Sequence, residues 1–584
     1  MEQVRLSDIS IRTFGWIQNP GDFQKLKKVV RVFDHTSDIH ADLKENRIPA
    51  LIEERDGRDE FLAQLNRIPL KLKYKDLVGT SFKPRGSARC NSIIQAIVEG
   101  QGTKKFVDNW SADGFVRWAH ALGFIDYQYM LDAFSITRSG FDFSRSEDHS
   151  EDERSILIDA VLSYPPAVRV LNLLSLGDHL TKYEIGKKLG FTGESGFTSL
   201  PQNILIPALA ACDDAKERNK MKTDWDGSSD KYARMIGGWL EKLGLVNKVP
   251  KTFDVVVNGV AESVGIPHAY KITPEGLKQL RRAKGVTKAQ RVPKRVCWEM
   301  FATKKTDRVY VRTRRSYILK ALAGGMGLVS LNRLKEILAL RGLEENIETI
   351  EDDIRGLVNI GLHMEESSRG YVLKDTINDF TIPVIEIEEA SRSSVEELKS
   401  ELRPQLRVLS HDYLQLVEIA QEPDQNRLFE MKVMELFVNE LGFQGCHLGG
   451  SRRPDGILYT TDLEKNYGVI VDTKAYREGY SLPIGQADEM ERYIRENIDR
   501  NPSVNPNKWW EAFPDDIENF TFLFVSGFFK GNFKDQLERI SLNTGAAGGA
   551  ISVEHLLLGA DYYKRGVLTL EDFENHFCNG EIQF

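Results

Sequence analysis

Three stretches of the chain repeat one pattern of apolar and polar positions. Around Trp118 the sequence reads RWAHALGFIDY and then AFSITRSG. Around Trp239 it reads GGWLEKLGLVNKV and then AYKITPEG, and around Leu357 it reads IRGLVNIGLHMEE and then GYVLKD. Each stretch predicts an amphipathic helix, a glycine just past its end, a strand, a loop and a second strand. Gly123, Gly244 and Gly361, 121 and 117 residues apart, stand where a helix commonly ends on a left-handed residue. A helix followed by a two-stranded wing is the closing half of a winged helix-turn-helix. The opening halves are legible as well. LTKYEIGKKLGF begins on Thr181 with Glu184 three residues on, a capping-box spacing, and Ile185 and Leu189 share a face. SGFTSLPQNILIPALA follows as a second helical stretch. LVSLNRLKEILALRG and ENIETIEDDIRGLVNIG repeat the layout. The pattern predicts three tandem winged-helix-like units over residues 1–150, 151–290 and 291–375.

After residue 375 the pattern changes. TIPVIEIEEASRSSVEELKSELR is acidic and serine-bearing and reads as a linker over 376–395 that enters a helix. Residues 396–584 predict a different unit. A helix (NRLFEMKVMELFVNELGF) leads to a Gly-rich turn (HLGGSRRPDG), two strands (GILYTT and YGVIVDTKAY), a helix (GQADEMERYIREN), a buried strand (FTFLFVSGFF) and a C-terminal helical region. That order is α/β, a mixed sheet flanked by helices. Asp455 opens the first of its strands, Asp472 comes 17 residues later, and Lys474 lies two beyond. Side chains alternate along a strand, so Asp472 and Lys474 share a face, and a hairpin would bring Asp455 opposite Asp472.

Two carboxylates and an ammonium at one end of a sheet suit phosphodiester hydrolysis. The carboxylates hold a hard divalent cation through oxygen ligands, most simply Mg²⁺ with Mn²⁺ as an alternative, and the backbone carbonyl of Thr473 adds a further ligand. The cation polarises the phosphate and helps generate hydroxide. Lys474 orients that water or stabilises the developing charge.

Length and composition fit this organisation. At ~150 residues per domain, 584 residues suggest four domains, and 41% hydrophobic with 28% charged residues describe globular material. No run of 18 apolar residues predicts a membrane span. The opening MEQVRLSDIS has no apolar core of a signal peptide. The five cysteines (Cys90, Cys212, Cys297, Cys446, Cys578) form no CxxC pair. The expectation is a reducing compartment, most simply the cytoplasm. Net charge −8 argues against a nucleic-acid partner, but its distribution argues the other way. Arg281–Lys320 holds 14 Lys/Arg against Glu299 and Asp307, a local +12 that leaves −20 for the rest. With Trp298, Phe301, Tyr310 and Tyr317 interleaved, the band predicts contact with DNA phosphates.

The PD…DxK arrangement resembles that of the PD-(D/E)xK nuclease superfamily. Longer strings are more specific: RPDGILY, YGVIVDTKAY, LPIGQADEMERY and FLFVSGFFKGNF near the C-terminus, and IRTFGWIQNPGDF, DNWSADGFVRWAHALGF, LGFTGESGFTSLP, GSSDKYARMIGGWL and RVPKRVCWEM before it. Together they resemble the FokI-type family of type IIS restriction endonucleases over nearly the whole chain. The resemblance implies a three-part recognition region that binds a short asymmetric double-stranded DNA site, and a tethered nuclease domain that cuts both strands at a fixed distance outside it. It gives Asp455, Asp472 and Lys474 their catalytic roles without departure. It places Gln18, Asn19, Arg85, Trp110, Lys231 and Arg234 at positions that approach DNA. Thr223 and Asp226 depart from the family's Asn and Glu, which bears on whether the site is GGATG. One such centre cuts one strand, so a second copy of the chain is expected to pair through the helix after the catalytic strand. There Asp488 and Arg492, spaced i, i+4, would each meet the other's counterpart across a two-fold axis, and the family's matching helix is its dimer interface. No FxGxG-like or NPPY-like methyltransferase string occurs, so protective methylation is expected from a separate enzyme. A non-catalytic DNA-binding regulator and a strand-specific nicking enzyme are the alternatives.

Overall fold

A computed structural model of the chain describes residues 4–6, 10–80, 89–100, 102–212, 214–257, 260–286, 291–304, 307–325, 327–384 and 393–584. The three repeated patterns become three helix-and-wing units. The first carries β1 (Leu72–Lys73), α1 (Asn109–Ala121), β2 (Ile125–Gln128) and β3 (Ala133–Ile136), with the strands in order β1-β3-β2. The second carries β4 (Leu180–Thr181), α2 (Lys182–Gly186), α3 (Gln202–Ala210), α4 (Ala215–Asp224), α5 (Ser228–Lys242) and β5 (Val246–Lys248). It continues through β6 (Lys251–Val257) and β7 (Val260–Ile266) to β8 (Ala269–Ile272), and its wing sheet runs β4-β8-β5. The third carries α6 (Arg308–Gly324), α7 (Leu331–Ala339), α8 (Ile347–Asn359) and the hairpin β9 (Met364–Ser367) with β10 (Gly370–Leu373).

Local signals held where they were chemical. Thr181 and Glu184 form the capping box of α2, and Gly123, Gly244 and Gly361 end α1, α5 and α8 at φ of 78°, 70° and 110°. The loop expected inside the second wing is instead the antiparallel hairpin β6–β7. The two echoed tryptophans meet: Trp118 and Trp239 stack with ring centroids 5.0 Å apart and 16° between planes, both fully buried. The first and second units therefore share one apolar core.

The C-terminal unit begins with α9 (Ser394–Leu402) and α10 (Asn426–Glu440), followed by β11 (Gln444–His447), β12 (Gly456–Tyr459) and β13 (Tyr467–Lys474). Then come α11 (Ile484–Asp499), β14 (Asn519–Ser526), α12 (Phe533–Thr544), β15 (Gly548–Ser552), α13 (Val553–Lys564) and β16 (Gly580–Ile582). The six strands lie in numerical order. β11, β12 and β13 pair antiparallel, and β13 to β16 pair parallel. A sheet covered on both faces reads as a continuous apolar run, as YGVIVDTK and NFTFLFVS do. Val469 and Val471 pack towards α10 and α13, while Ile470 faces α11 and α12.

The C-terminal unit is docked on the other three. Helix α3, QNILIPALA, is apolar nearly all round, and such a helix must be buried. Its Ile204, Leu205, Ile206 and Leu209 enter the same core as Phe429, Val433 and Phe437 of α10. Polar contacts cross the same junction. The Arg403 Nε lies 3.1 Å from Asp352 Oδ2, and Glu418 accepts from the Ser195 N–H at 2.8 Å.

This junction corrects the expectation for the basic band. Arg312 and Arg314 are wholly buried, as are Trp298 and Phe301. Arg314 reaches Asp353 at 2.6 Å, Glu345 at 2.7 Å and Glu396 at 3.3 Å, while Arg315 reaches Asp353 at 2.6 Å and also Glu194. Arg282, Arg291, Arg295 and Lys304 pair with Asp159, Asp375, Asp126 and Glu422. Lys294 is buried against the carbonyls of Ala283 and Val292. The band is thus largely an internal clamp whose acids come from every other part of the chain; Lys288 and Lys305 lie outside the described residues. A local charge count registers the cations and not their distant partners. Because Asp353 neutralises two buried guanidinium groups, Asp353→Ala is expected to cost about 3–5 kcal/mol, read as a large fall in the thermal unfolding midpoint. A surface-like loss below ~1 kcal/mol would contradict the clamp.

Candidate active site and nucleic-acid interface

Register decides whether the sequence-adjacent acids meet. Gly456 pairs with Val471 across β12 and β13, so the residue before Gly456 faces the residue after Val471. Asp455 and Asp472 therefore converge at one end of the antiparallel pair. Asp455 Oδ2 accepts from the Thr473 N–H at 2.7 Å and from its hydroxyl at 3.1 Å. Lys474 Nζ lies 2.6 Å from Asp472 Oδ2. In an antiparallel ladder a residue's N–H and C=O leave on the same edge, so the Thr473 carbonyl also faces the Asp455 side.

The electrostatics are those of a site short of positive charge. Burial, with the facing Asp472 and Glu430 carboxylates, pushes Asp455 well above the usual carboxylate range. Burial raises Asp472 too, against the pull of Lys474. Burial disfavours the Lys474 ammonium, but Asp472 and Asp455 outweigh it and hold its pKa above the ordinary value. Two acids, Asp472 buried and Asp455 half-buried, share one ammonium. A divalent cation would relieve that shortage, and carboxylate and carbonyl oxygens are the donors a hard cation takes. Among the described residues no group of three His, Cys, Asp or Glu lies so as to hold an ion.

Sequence reasoning missed the surrounding shell. Glu430 of α10 accepts from His447 Nε2 at 2.9 Å, and Glu489 of α11 bonds the Tyr493 hydroxyl at 3.0 Å while its charge acts on Asp472 and Lys474. Glu489 lies in QADEMERY, but only the packing of α11 against β13 brings it near the acids.

The expected DNA-approaching residues gather elsewhere. Asn19 and Arg234 line one open groove of about 400 Å³ between the first and second units, with Lys25, Lys104 and Lys242 also on its walls. Those three lysines carried no signal, being scattered in sequence. Gln18 is half-buried beside Tyr232, and Lys231 is half-buried on the first turn of α5. Trp110, at the start of α1, is 56% exposed with the Arg117 guanidinium 5.5 Å from its ring centroid; it is not a core residue. Arg85 lies outside the described residues. Asp488 and Arg492 of α11 do not pair with each other. Asp488 bonds Arg539 at 2.6 Å, Arg492 bonds Glu489 at 3.0 Å, and both line a second open groove of about 370 Å³.

A recognition region of helix-and-wing units joined to a mixed-sheet unit with a PD…DxK centre defines a multidomain nuclease of restriction-enzyme type. Four family models match in register with these units: the recognition domain of FokI, subdomain 1, over residues 12–146; subdomain 2 over 153–288; the D3 domain over 301–369; and the cleavage domain over 392–583. The chain is 52% identical over 577 residues to the type II restriction enzyme FokI of Planomicrobium okeanokoites, covering 98% of this chain and 99% of that one. It is 30% identical over 592 residues to the type II restriction enzyme StsI of Streptococcus sanguinis, covering 99% and 97%. The solved structures of FokI alone and of FokI bound to DNA superpose with TM-scores of 0.92 and 0.94, each covering 98% of this chain and 100% of the other. The chain belongs to the FokI family of type II restriction enzymes.

The groove makes a steric prediction. A Cβ on Gly114 of α1 would collide with the backbone carbonyl of Asn19, whereas one on Gly238 of α5 meets nothing within 4 Å. Gly114→Ala is expected to cost ~1–3 kcal/mol through overpacking. Gly238→Ala is expected to be neutral or to stabilise by up to ~1 kcal/mol through helix propensity. Chemical denaturation of the two variants side by side checks the contrast.

Proposed function

We propose that this chain is a Mg²⁺-dependent type IIS restriction endonuclease. It binds a short asymmetric double-stranded site of GGATG type and hydrolyses both strands at a fixed distance outside it. The observation that carries this reading is the convergence of Asp455, Asp472 and Lys474 on a unit separate from the helix-and-wing region. In its support, the chain is similar over 98% of its length to FokI in a structure bound to DNA. Asp455, Asp472 and the Thr473 carbonyl would hold the cation. When bound, the cation polarises the phosphate and lowers the pKa of its water. Lys474, held by Asp472, stands where an ammonium steers the attacking water and stabilises charge developing on phosphoryl oxygen. Water oxygen bonds to phosphorus as the ester P–O bond breaks. Thr473 fixes the Asp455 carboxylate through two hydrogen bonds, which keeps that ligand in place before substrate arrives. Gln18, Asn19, Arg85, Trp110, Lys231 and Arg234 belong to the DNA side, and a separate methyltransferase in a bacterial cytoplasm would protect host sites.

Asp472→Ala is expected to abolish cutting yet leave site binding within about tenfold, ~1.4 kcal/mol, because its carboxylate belongs to the C-terminal unit. Electrophoretic mobility shift beside plasmid cleavage measures both. Loss of binding beyond that would break the two-part reading.

Cutting two strands with one centre per chain calls for a second copy, and α11 is the surface we assign to it. Asp488 is 60% exposed and Arg492 40%, and neither neutralises the other within the chain. Asp488→Arg alone is expected to cripple double-strand cutting, and mixing it with Arg492→Asp to restore it. A mixture as inactive as either variant would exclude this helix as the interface; nicked circles without linear product from the unaltered protein would favour a nicking enzyme.

A further inference from the structure

The turn that delivers Asp455 is held from outside its own strand. Ser451, Arg452 and Arg453 follow one another just before Pro454 and Asp455. Each of their carbonyls accepts a hydrogen bond from a side chain on or just beyond α11. Asn507 Nδ2 donates to Ser451 at 3.2 Å, Asn505 Nδ2 to Arg452 at 2.9 Å, and the Tyr493 hydroxyl to Arg453 at 2.8 Å. Arg452 stands in the left-handed region at φ 62°, which a residue with a side chain keeps only where its surroundings impose it. The turn closes through the Leu448 and Gly449 N–H groups, which donate to the Asp455 carbonyl at 2.9 and 3.2 Å.

The donors are themselves fixed. Tyr493 is 4% exposed and Asn505 is wholly buried. Asn505 also donates to Glu496 Oε2 of α11 at 2.9 Å, and Trp509 Nε1 donates to the same oxygen at 2.9 Å. A hydroxyl has one proton, and Glu489 Oε1 stands 3.0 Å from the Tyr493 oxygen as a second acceptor. Arg492 donates to that Glu489 oxygen at 3.0 Å, which leaves the hydroxyl proton for the Arg453 carbonyl.

Asp455 needs such support. Its carboxylate converges on that of Asp472, and like charges push apart until a cation joins them. Thr473 holds the Asp455 side chain from β13, while Tyr493 and Asn505 hold the backbone that leads into it. Tyr493 packs in one cluster with Ile470, and Asp472 shares that face of β13 by alternation. The ties from α11 therefore fix one acid relative to the other. We infer that Tyr493, backed by Asn505, is a positioning residue for the metal centre: it fixes the Ser451–Arg453 turn so that Asp455 stands in place before a divalent cation arrives. The inference rests on the reading of Asp455 as a metal ligand.

The test is a Mn²⁺ titration of the full chain without DNA. Affinity is read from the rise of each variant's unfolding midpoint above its own metal-free value. Tyr493→Phe removes only the hydroxyl and is expected to weaken Mn²⁺ binding ~10-fold or more. In plasmid cutting, the Mg²⁺ concentration for half-maximal rate is expected to rise by a similar factor, with the rate recovered at saturating Mg²⁺. Tyr467→Phe is the control, since that hydroxyl donates to the Leu570 carbonyl at 2.8 Å from the opposite end of β13; its Mn²⁺ affinity is expected to be unchanged. If Tyr493→Phe binds Mn²⁺ as the unaltered protein does, or Tyr467→Phe weakens binding equally, the Tyr493 hydroxyl serves the fold alone and the inference is wrong. Asp455→Ala separates the inference from the reading beneath it: if that variant keeps the full Mn²⁺ response, Asp455 is not a ligand and the reading itself fails. Should Tyr493→Phe not fold, Asn507→Ala at the exposed end of the turn is expected to weaken Mn²⁺ in the same direction, and unchanged affinity there overturns the inference.

Discussion

The pairing of Arg314 and Arg315 with Asp353 is the interaction on which the assembly depends. Both cations and the acid are buried, and isolated charges in such a place are prohibitively costly. Each partner thus requires the others in position. Asp353 comes from α8 of the third unit, Glu194 from the second, and Glu396 from the C-terminal unit. One cluster of charges therefore fixes three units against one another. The apolar face of α3, sunk into the core beneath α10, contributes the non-directional part of the same junction.

Around that junction the molecule separates two kinds of chemistry. The groove between the first and second units offers lysines, Arg234 and polar loop atoms to a ligand. The C-terminal sheet offers carboxylates starved of positive charge. A site that reads sequence and a site that hydrolyses need opposite electrostatics, cations for phosphate and base edges in one and an anionic cation trap in the other. Placing them on separate units lets each have its own field. The docked arrangement covers part of the C-terminal unit with α3, and its own α9 is tied to the third unit through Glu396.

Much of the fold was legible because its signals are local. Capping by Thr181 and Glu184, the left-handed glycines after α1, α5 and α8, and the apolar runs of β13 and β14 are each decided within a few residues. The β6–β7 hairpin was also in reach, since an Asn-Gly pair separates its two runs and that dipeptide is a strong hairpin signal. The basic band failed for the opposite reason. Arg314 resembles a solvated cation in sequence, and its burial depends on acids 31 to 82 residues distant.

At the active centre the sequence alone determined which groups exist and which share a face, because alternation along β13 puts Asp472 and Lys474 on one side. Tertiary structure decided that Asp455 meets them, since strand register sets which residues oppose, and a slip of one residue would turn its side chain to the other face. It also decided the role of each cation. Lys182 and Arg234 are equal in a charge count, yet packing buries one and leaves the other facing the groove. Ionisable side chains carry their charge in the sequence, but dielectric, partner and exposure come only with the fold.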